Sequence, residues 1–266
     1  QRLGDAVLVP SAPHKRRGWG FSCTYKNVGL GGGVPDSAGA SVELTPAGRA
    51  VVRIGAAEVG QGLVGVAAQI ASQELGLPYD QVDVIVGDTA QTLDGGATTA
   101  SRQTFITGNA VRLAAMRVRE QMEQIGQSAN RQAAIVYTPP RTVPLGQEGD
   151  QHFAYGYATQ AALVEVDTLS GQVEVLKVIA AHDVGRAINP QAVAGQMEGG
   201  VVMGLGFALS EKLDLENGIT RNADLRRYRL PHIAQTPEVT SIIVQAPTAE
   251  GPYGAKGVGE ITSIPT

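Results

Sequence analysis

Glycine restricts this chain more than any other feature. Of its 266 residues 34 are glycine, about 13% where a typical chain has ~7%. They follow no fixed period and form no linker, but sit inside hydrophobic segments patterned like folded structure. Each costs roughly 0.5–1 kcal/mol of conformational entropy relative to alanine. A chain that accepts this cost repeatedly needs tight turns or close backbone approach. The clusters that matter are Gly31-Gly32-Gly33, Gly60-Gln61-Gly62, Gly195-Gln196 and the run from Gly254 to Glu260.

Around these loops the apolar periodicity describes two similar halves. Residues 1–40 look irregular, broken by Gly31-Gly32-Gly33 and Pro35. Residues 42–44 and 50–57 read as a hairpin about Pro46-Ala47-Gly48. A helix follows, with Val64, Ala67, Ala68, Ala71 and Leu75 on one face and Gly76-Leu77-Pro78 as its stop. Residues 82–86 read as a strand, and 108–125 as a second helix with the stripe Val111, Ala114, Ala115, Val118 and Met122. Residues 126–150 carry Pro139-Pro140 and Pro144 and read as a linker. Beyond them, 161–166 and 173–181 form another hairpin. Asn189-Pro190 starts a helix running to about Ser210, Asn217-Gly218 signals a tight hairpin, and 239–244 is a further strand. The expected fold is therefore α+β (mixed α/β). Its two similar hairpin-plus-helix subdomains would span 1–125 and 151–266, joined by the linker at 126–150. Each half also carries a Gly-Gln pair at the same distance before a helix end (Gln61 to Gly76, Gln196 to Glu211). A duplicated unit of this kind would bring two glutamines toward one site.

Composition removes several classes of function. The net charge of −4 gives no general affinity for nucleic acid or anionic membrane. The short basic run His14-Lys15-Arg16-Arg17 reads as a solvated arm. No apolar run is expected to reach the ~18–20 residues of a membrane span. The single cysteine, Cys23, excludes a disulfide framework or a cysteine-based metal site within the chain. The four histidines, at 14, 152, 182 and 232, lack ligand spacing, and no phosphate loop, Gly-x-Ser-x-Gly or His-Glu-x-x-His pattern occurs. The first residue is Gln1, so the chain gives no view of a targeting segment.

What remains is a set of amides, hydroxyls and glycines in loops. Gly60-Gln61-Gly62 places a donor–acceptor amide where a ligand could approach the backbone, or simply starts a helix. Thr98-Thr99-Ala100-Ser101-Arg102-Gln103 could offer backbone N–H groups to an anion, or merely cap the helix behind it. In Lys256-Gly257-Val258-Gly259-Glu260 the glycines bring a carboxylate to the end of a tight loop, as a positioned base or as a solvated charge.

In chain order, Ala57-Glu58-Val59-Gly60-Gln61-Gly62, Gly87-Asp88-Thr89, Thr99-Ala100-Ser101-Arg102, Asp183-Val184-Gly185 with Ile188-Asn189-Pro190, Gly195-Gln196 with Glu198-Gly199-Gly200, and Gly254 to Glu260 resemble one family. It is the xanthine dehydrogenase and aldehyde oxidoreductase family of molybdenum hydroxylases. The match is to the C-terminal half of the molybdopterin-binding large subunit, over roughly residues 15–125 and 137–266.

That resemblance implies a molybdenum-dependent oxidoreductase of the xanthine dehydrogenase type, acting on an aldehyde, purine or N-heteroaromatic small molecule. The cofactor implied is molybdopterin, as such or as a dinucleotide, holding its metal through its own sulfurs without a protein ligand. Gly60, Gln61, Gly62, Thr99, Ala100, Ser101, Arg102, Gln103, Gln196, Lys256, Gly257, Val258 and Gly259 would form its cradle, with Glu260 as general base. Asp183 would fix a loop, Glu198 would join a structural ion pair, and Met197, Met203, Leu205 and Phe207 would be core. The chain would be a fragment or a split subunit. Its partners would be the N-terminal half of the molybdenum subunit, with iron–sulfur clusters and FAD on further chains or domains, in the cytoplasm. Two rivals stand beside this reading: a noncatalytic cofactor-binding or subunit-completing scaffold, and a piece of a carbon monoxide dehydrogenase-like large subunit.

Overall fold

The computed structural model describes residues 8–125 and 131–266. The first long strand, β1 (Lys15–Asn27), is followed by the antiparallel hairpin of β2 (Ala38–Leu44) and β3 (Ala50–Ile54). Helix α1 (Leu63–Leu75) then returns the chain so that β4 (Val82–Val86) lies parallel to β3. Helix α2 (Gln103–Ile125) leads back to β5 (Arg131–Tyr137), which pairs antiparallel with β2 and completes a sheet of order β4-β3-β2-β5.

The second half repeats this order. Strands β6 (Tyr155–Asp167) and β7 (Val173–Asp183) form a hairpin, and α3 (Pro190–Leu209) follows. The small hairpin of β8 (Leu215–Glu216) and β9 (Ile219–Thr220) and the single turn α4 (Leu225–Tyr228) lead to β10 (Glu238–Val244), parallel to β7. The edge strand antiparallel to β6 is β1, giving the order β1-β6-β7-β10. The mixed α/β architecture is thus two four-stranded sheets of matching topology.

The boundaries differ from those expected. Residues 15–27, read as irregular, form a 13-residue strand that belongs to the second sheet. Residues 131–137, inside the stretch read as a linker, form β5 of the first sheet. Residues 126–130 of that stretch lie outside the described residues. The alternating burial of β5 is weak as a signal because it ends on Pro139-Pro140. In β1, Gly18 and Gly20 interrupt the pattern.

Both halves bury one face of their sheet beneath helices. Val42, Val52 and Ile54 pack against Ile70 of α1 and Val111 and Val118 of α2, all fully buried. Each such side chain contributes roughly 1.5–3 kcal/mol relative to exposure. The second core is smaller: Val178 and Ala180 of β7 meet Met197 and Val201 of α3. Of the other three residues expected to be core, Leu205 packs at its margin, while Met203 and Phe207 are exposed on the outer side of α3.

Helix ends follow their local chemistry. Gly76 closes α1 in the left-handed conformation, and Asn189 Oδ1 accepts the Ala192 N–H at 3.0 Å to cap α3. At 20 residues with few charges, α3 is long and apolar enough to meet the criterion of a membrane span, contrary to the sequence expectation. Its inward side nevertheless packs on β7 and β10, and on the segment after Glu260. Gly200 allows that last contact, since a Cβ there would lie 1.9 Å from Thr262 Oγ1. The two Gly-Gln pairs are not equivalent by position: Gln61 precedes α1, whereas Gln196 lies within α3.

Candidate functional site

The loop that follows β3, the stretch before α2, helix α3 at Gln196 and residues 257–260 of the glycine-rich segment meet at a cleft of about 210 Å³. Gln61, Thr99, Ser101, Gln196, Gly257, Val258, Gly259 and Glu260 all line it. A narrower extension of about 50 Å³ shares Gln61, Gln196 and Val258 and continues past Arg186 and Asn189.

Segment 254–260 is stitched to the loop after β7. The Lys256 N–H donates to Val184 O and the Arg186 N–H to Gly254 O, each at 3.0 Å. Buried Lys256 places Nζ 2.5 Å from Asp183 Oδ2, while Asp183 Oδ1 accepts the N–H groups of Gly185 (3.0 Å) and Ala246 (3.3 Å). The lysine ammonium is therefore paired inside the protein. Asp183 fixes this loop, as expected.

Beyond Lys256 the backbone presses against the segment before α2. A Cβ on Gly257 would sit 1.6 Å from Ser101 O, so only glycine permits this approach. Glu260 then opens a short 3₁₀ turn over Glu260–Thr262. The turn is anchored where Gln160 Nε2 donates to Thr262 O at 2.8 Å. Glu260 accepts a hydrogen bond from the Ser101 hydroxyl, and Lys26 Nζ of β1 lies 3.7 Å from the same oxygen, Oε2. Burial pushes the Glu260 carboxyl upward, but the Ser101 hydroxyl, its own backbone N–H and the Lys26 charge outweigh burial and hold it below the usual range. It is ionised at neutral pH.

The loop before α1 is closed by its own side chains. Glu58 accepts the N–H groups of Gly60 (2.9 Å), Gly62 (3.0 Å) and Val64 (3.0 Å). Burial opposes ionisation of Glu58, yet these N–H bonds win and lower its pKa. Gly60 and Gly62, at φ 99° and 85°, supply the left-handed turns that aim the amides inward. The Gln61 amide accepts the Val59 N–H at 2.7 Å and donates to Ala57 O at 3.1 Å. Gln196 is different: half-buried in the cleft wall, its amide has no hydrogen-bond partner among the described residues.

Before α2, Arg102 and Gln103 line the cleft with their side-chain polar groups already engaged by the protein. All five guanidinium donors of Arg102 are engaged: Asp36 twice (2.9 and 2.6 Å), Gly95 O (2.8 Å), Ala97 O (2.8 Å) and Ser37 O (2.6 Å). Gln103 donates to Ala97 O at 2.9 Å and accepts from Thr107. Ala100 and Ser101 adopt φ of 51° and 50°, which is uncommon for residues with a Cβ.

The structure thus brings Gln61, Thr99, Ser101, Arg102, Gln103, Gln196 and Gly257 to Glu260 together at one cleft. Ala100 contributes its bent backbone, and its carbonyl accepts the Gly29 N–H at 2.9 Å. Arg102 and Gln103 also line this cleft and Lys256 lines the extension, with their side-chain polar groups committed to Asp36, Thr107 and Asp183. Glu198 is exposed and joins no ion pair among the described residues. Lys26, Asp36 and Gln160 also shape the site, as does Glu58, which stood in the sequence only as part of the first family motif. Only Glu58 carried a local sign, a carboxylate just ahead of a helix start. Among the described residues no group of three or more His, Cys, Asp or Glu could hold a metal ion.

The family model described as the molybdopterin cofactor-binding domain matches residues 8–138 and 128–237. Among curated proteins, the chain is 30% identical to the putative xanthine dehydrogenase molybdenum-binding subunit of Escherichia coli, over 94% of the chain and 38% of that protein. It is 29% identical to the carbon monoxide dehydrogenase large chain of Hydrogenophaga pseudoflava, over 89% of the chain and 34% of that protein. Among solved structures, it superposes on the aldehyde oxidoreductase from Desulfovibrio gigas with a TM-score of 0.81 and 27% identity. That match covers 97% of the chain and 30% of the other. Carbon monoxide dehydrogenase from Oligotropha carboxidovorans gives a TM-score of 0.84 at 23% identity, covering 95% and 36%, a likeness of fold. The chain spans a little over a third of the length of the two curated relatives named here.

Proposed function

The chain belongs to the molybdopterin cofactor-binding domain family, among the xanthine dehydrogenase and carbon monoxide dehydrogenase relatives, and on that premise we propose that Glu260 is the general base of a molybdenum hydroxylase. The substrate class is an aldehyde, purine or N-heteroaromatic. The observation that carries this reading is that Glu260 is, among the described residues, the one carboxylate lining a cleft whose other walls are amides, hydroxyls and glycine backbone together with Arg102 and the apolar Val59, Leu63 and Val258.

The wall suits molybdopterin. A polar bicycle buried with unmatched donors and acceptors would lose roughly 1–3 kcal/mol per group. Gln196 offers an amide with no partner among the described residues, Thr99 a hydroxyl, and residues 257–259 a backbone without bulky side chains. Arg186, in the wall of the narrower extension and without an ion-pair partner among the described residues, suits the cofactor's anionic arm. When bound, the group supplies the metal centre that accepts two electrons from the substrate. Gln61 and Glu58 shape the loop, and Lys256, Arg102 and Gln103 hold the framework that the cofactor would rest on.

Glu260 begins the reaction ionised, as a base must. Ser101 and Lys26 address Oε2, and we assign proton acceptance to Oε1. Lys26 compensates the ionised carboxylate, and once Glu260 accepts a proton that charge is lost and Lys26 favours its release again. The remaining length of the molybdenum subunit, and iron–sulfur and flavin groups on partner chains in the cytoplasm, would complete the substrate pocket and carry electrons away.

The test is Glu260→Gln in the reconstituted complex. The expected outcome is unchanged cofactor content and thermal midpoint with nearly all turnover gone. Substantial remaining turnover would refute the assignment.

A further inference from the structure

Ser101 is placed with more care than a lining residue needs. It does not cap α2, which begins at Gln103 behind Arg102. Its hydroxyl instead reaches Glu260, 159 positions along the chain. To do so, Ser101 and its neighbour Ala100 both occupy the left-handed region, a costly choice for residues with a Cβ that persists only where the surroundings impose it.

Four contacts impose it here. The Gly29 N–H holds Ala100 O at 2.9 Å, and the Arg102 N–H turns back to Thr99 O at 3.1 Å. The Arg102 side chain is locked to Asp36 immediately afterwards. Gly257 packs on Ser101 O with no room for a Cβ. Relaxing either residue to the right-handed region would swing the hydroxyl off the carboxylate. Glu260 needs such a partner, since its side chain is 44% exposed and has three rotatable bonds.

We propose that Ser101 is the positioning residue of Glu260, its hydroxyl holding the carboxylate in one rotamer at the cleft wall and donating to its charged form. This rests on the reading of Glu260 as the base. Among the described residues the charged group that faces Glu260 is Lys26 from β1, 3.7 Å away. The Arg102 guanidinium points into Asp36. Ser101 is thus the neutral half of a two-sided hold, and Lys26 the charged half. In direction, the low Glu260 pKa agrees, with the Ser101 hydrogen bond as the largest effect that lowers it.

The test titrates Glu260 directly. The full chain is labelled with carboxyl-¹³C glutamate and followed by NMR from pH 2 to 8, with Glu260→Gln identifying the resonance. Ser101→Ala and Ser101→Gly both remove the hydroxyl, and glycine keeps the left-handed backbone without strain. The Glu260 midpoint is expected to rise by about one pH unit in both variants, while the chemical shifts of distant residues stay in place. An unmoved midpoint in both would overturn the proposal. Because the readout needs no turnover, it is separable from the base assignment, which the Glu260→Gln rate measurement decides alone. In the loaded complex, the acid limb of the pH–rate profile should move upward by the same amount.

Discussion

Lys256 and Asp183, 73 positions apart in the chain, are joined at 2.5 Å by two side chains that are each nine-tenths buried. Removing one partner of such a pair leaves an uncompensated buried charge and costs about 3–5 kcal/mol. Lys256→Met should therefore lower the unfolding free energy by that amount, and adding Asp183→Asn should restore most of it; denaturant titration of both variants is the check. If the single variant lost cofactor with stability intact, the lysine would belong to the cleft and not to this pair.

The two glutamines of the cleft should respond in opposite ways. The Gln61 amide closes its own loop through Val59 and Ala57, whereas that of Gln196 has no partner among the described residues. Gln196→Ala should lower cofactor retention about tenfold or more, as expected for one lost hydrogen bond to a buried polar group, with little change in melting temperature. Gln61→Ala should lose about 1 kcal/mol of stability instead. Equilibrium dialysis against the cofactor and calorimetry of the apoprotein separate the two effects.

Glycines within α3 divide the same way. A Cβ on Gly195 meets nothing within 4 Å, while one on Gly200 would lie 1.9 Å from Thr262 Oγ1. Gly195→Ala should stabilise by about 0.5–1 kcal/mol through helix propensity. Gly200→Ala should destabilise by roughly 1–3 kcal/mol and loosen the turn that starts at Glu260. Urea unfolding of the two variants side by side gives the comparison.

His182 makes stability depend on pH. It is fully buried, its Nδ1 has no partner among the described residues, and burial pushes its imidazole down to about 4. Between an ordinary value near 6.5 and 4, the unfolded chain binds a proton that the folded chain refuses. The His182 contribution is therefore intact above pH 6.5 and is lost as pH falls toward 4, by roughly 3 kcal/mol. Urea midpoints at pH 7 and 4.5 should show this loss. The difference between the parent and His182→Asn isolates it from carboxylates such as Glu58, whose low pKa adds a loss of the same sign.

The local grammar of the chain was readable. The hairpins, the Gly76 stop and the Asn189 cap depend on neighbouring residues, and so they stand in the sequence. The cleft was readable as a set of loops for the same reason, since glycine clusters mark the places of close approach. What could not be read was which polar side chains had already been claimed. Arg102 finds Asp36 66 positions away, and Lys256 finds Asp183 73 positions away; neither distance leaves a periodic trace. Strand β1 escaped because its partner β6 lies far along the chain and two glycines blur its alternation.

That far pairing governs the order in which the molecule can be made. Lys15 waits for Asp167, and Asn27 for Tyr155, so during synthesis the first long strand lacks this sheet partner until β6 has left the ribosome. Lys26 rides on that strand. The cation beside Glu260 thus reaches its place only when the second sheet closes, and a chain truncated before Tyr155 would keep Lys26 but hold neither that sheet nor the base.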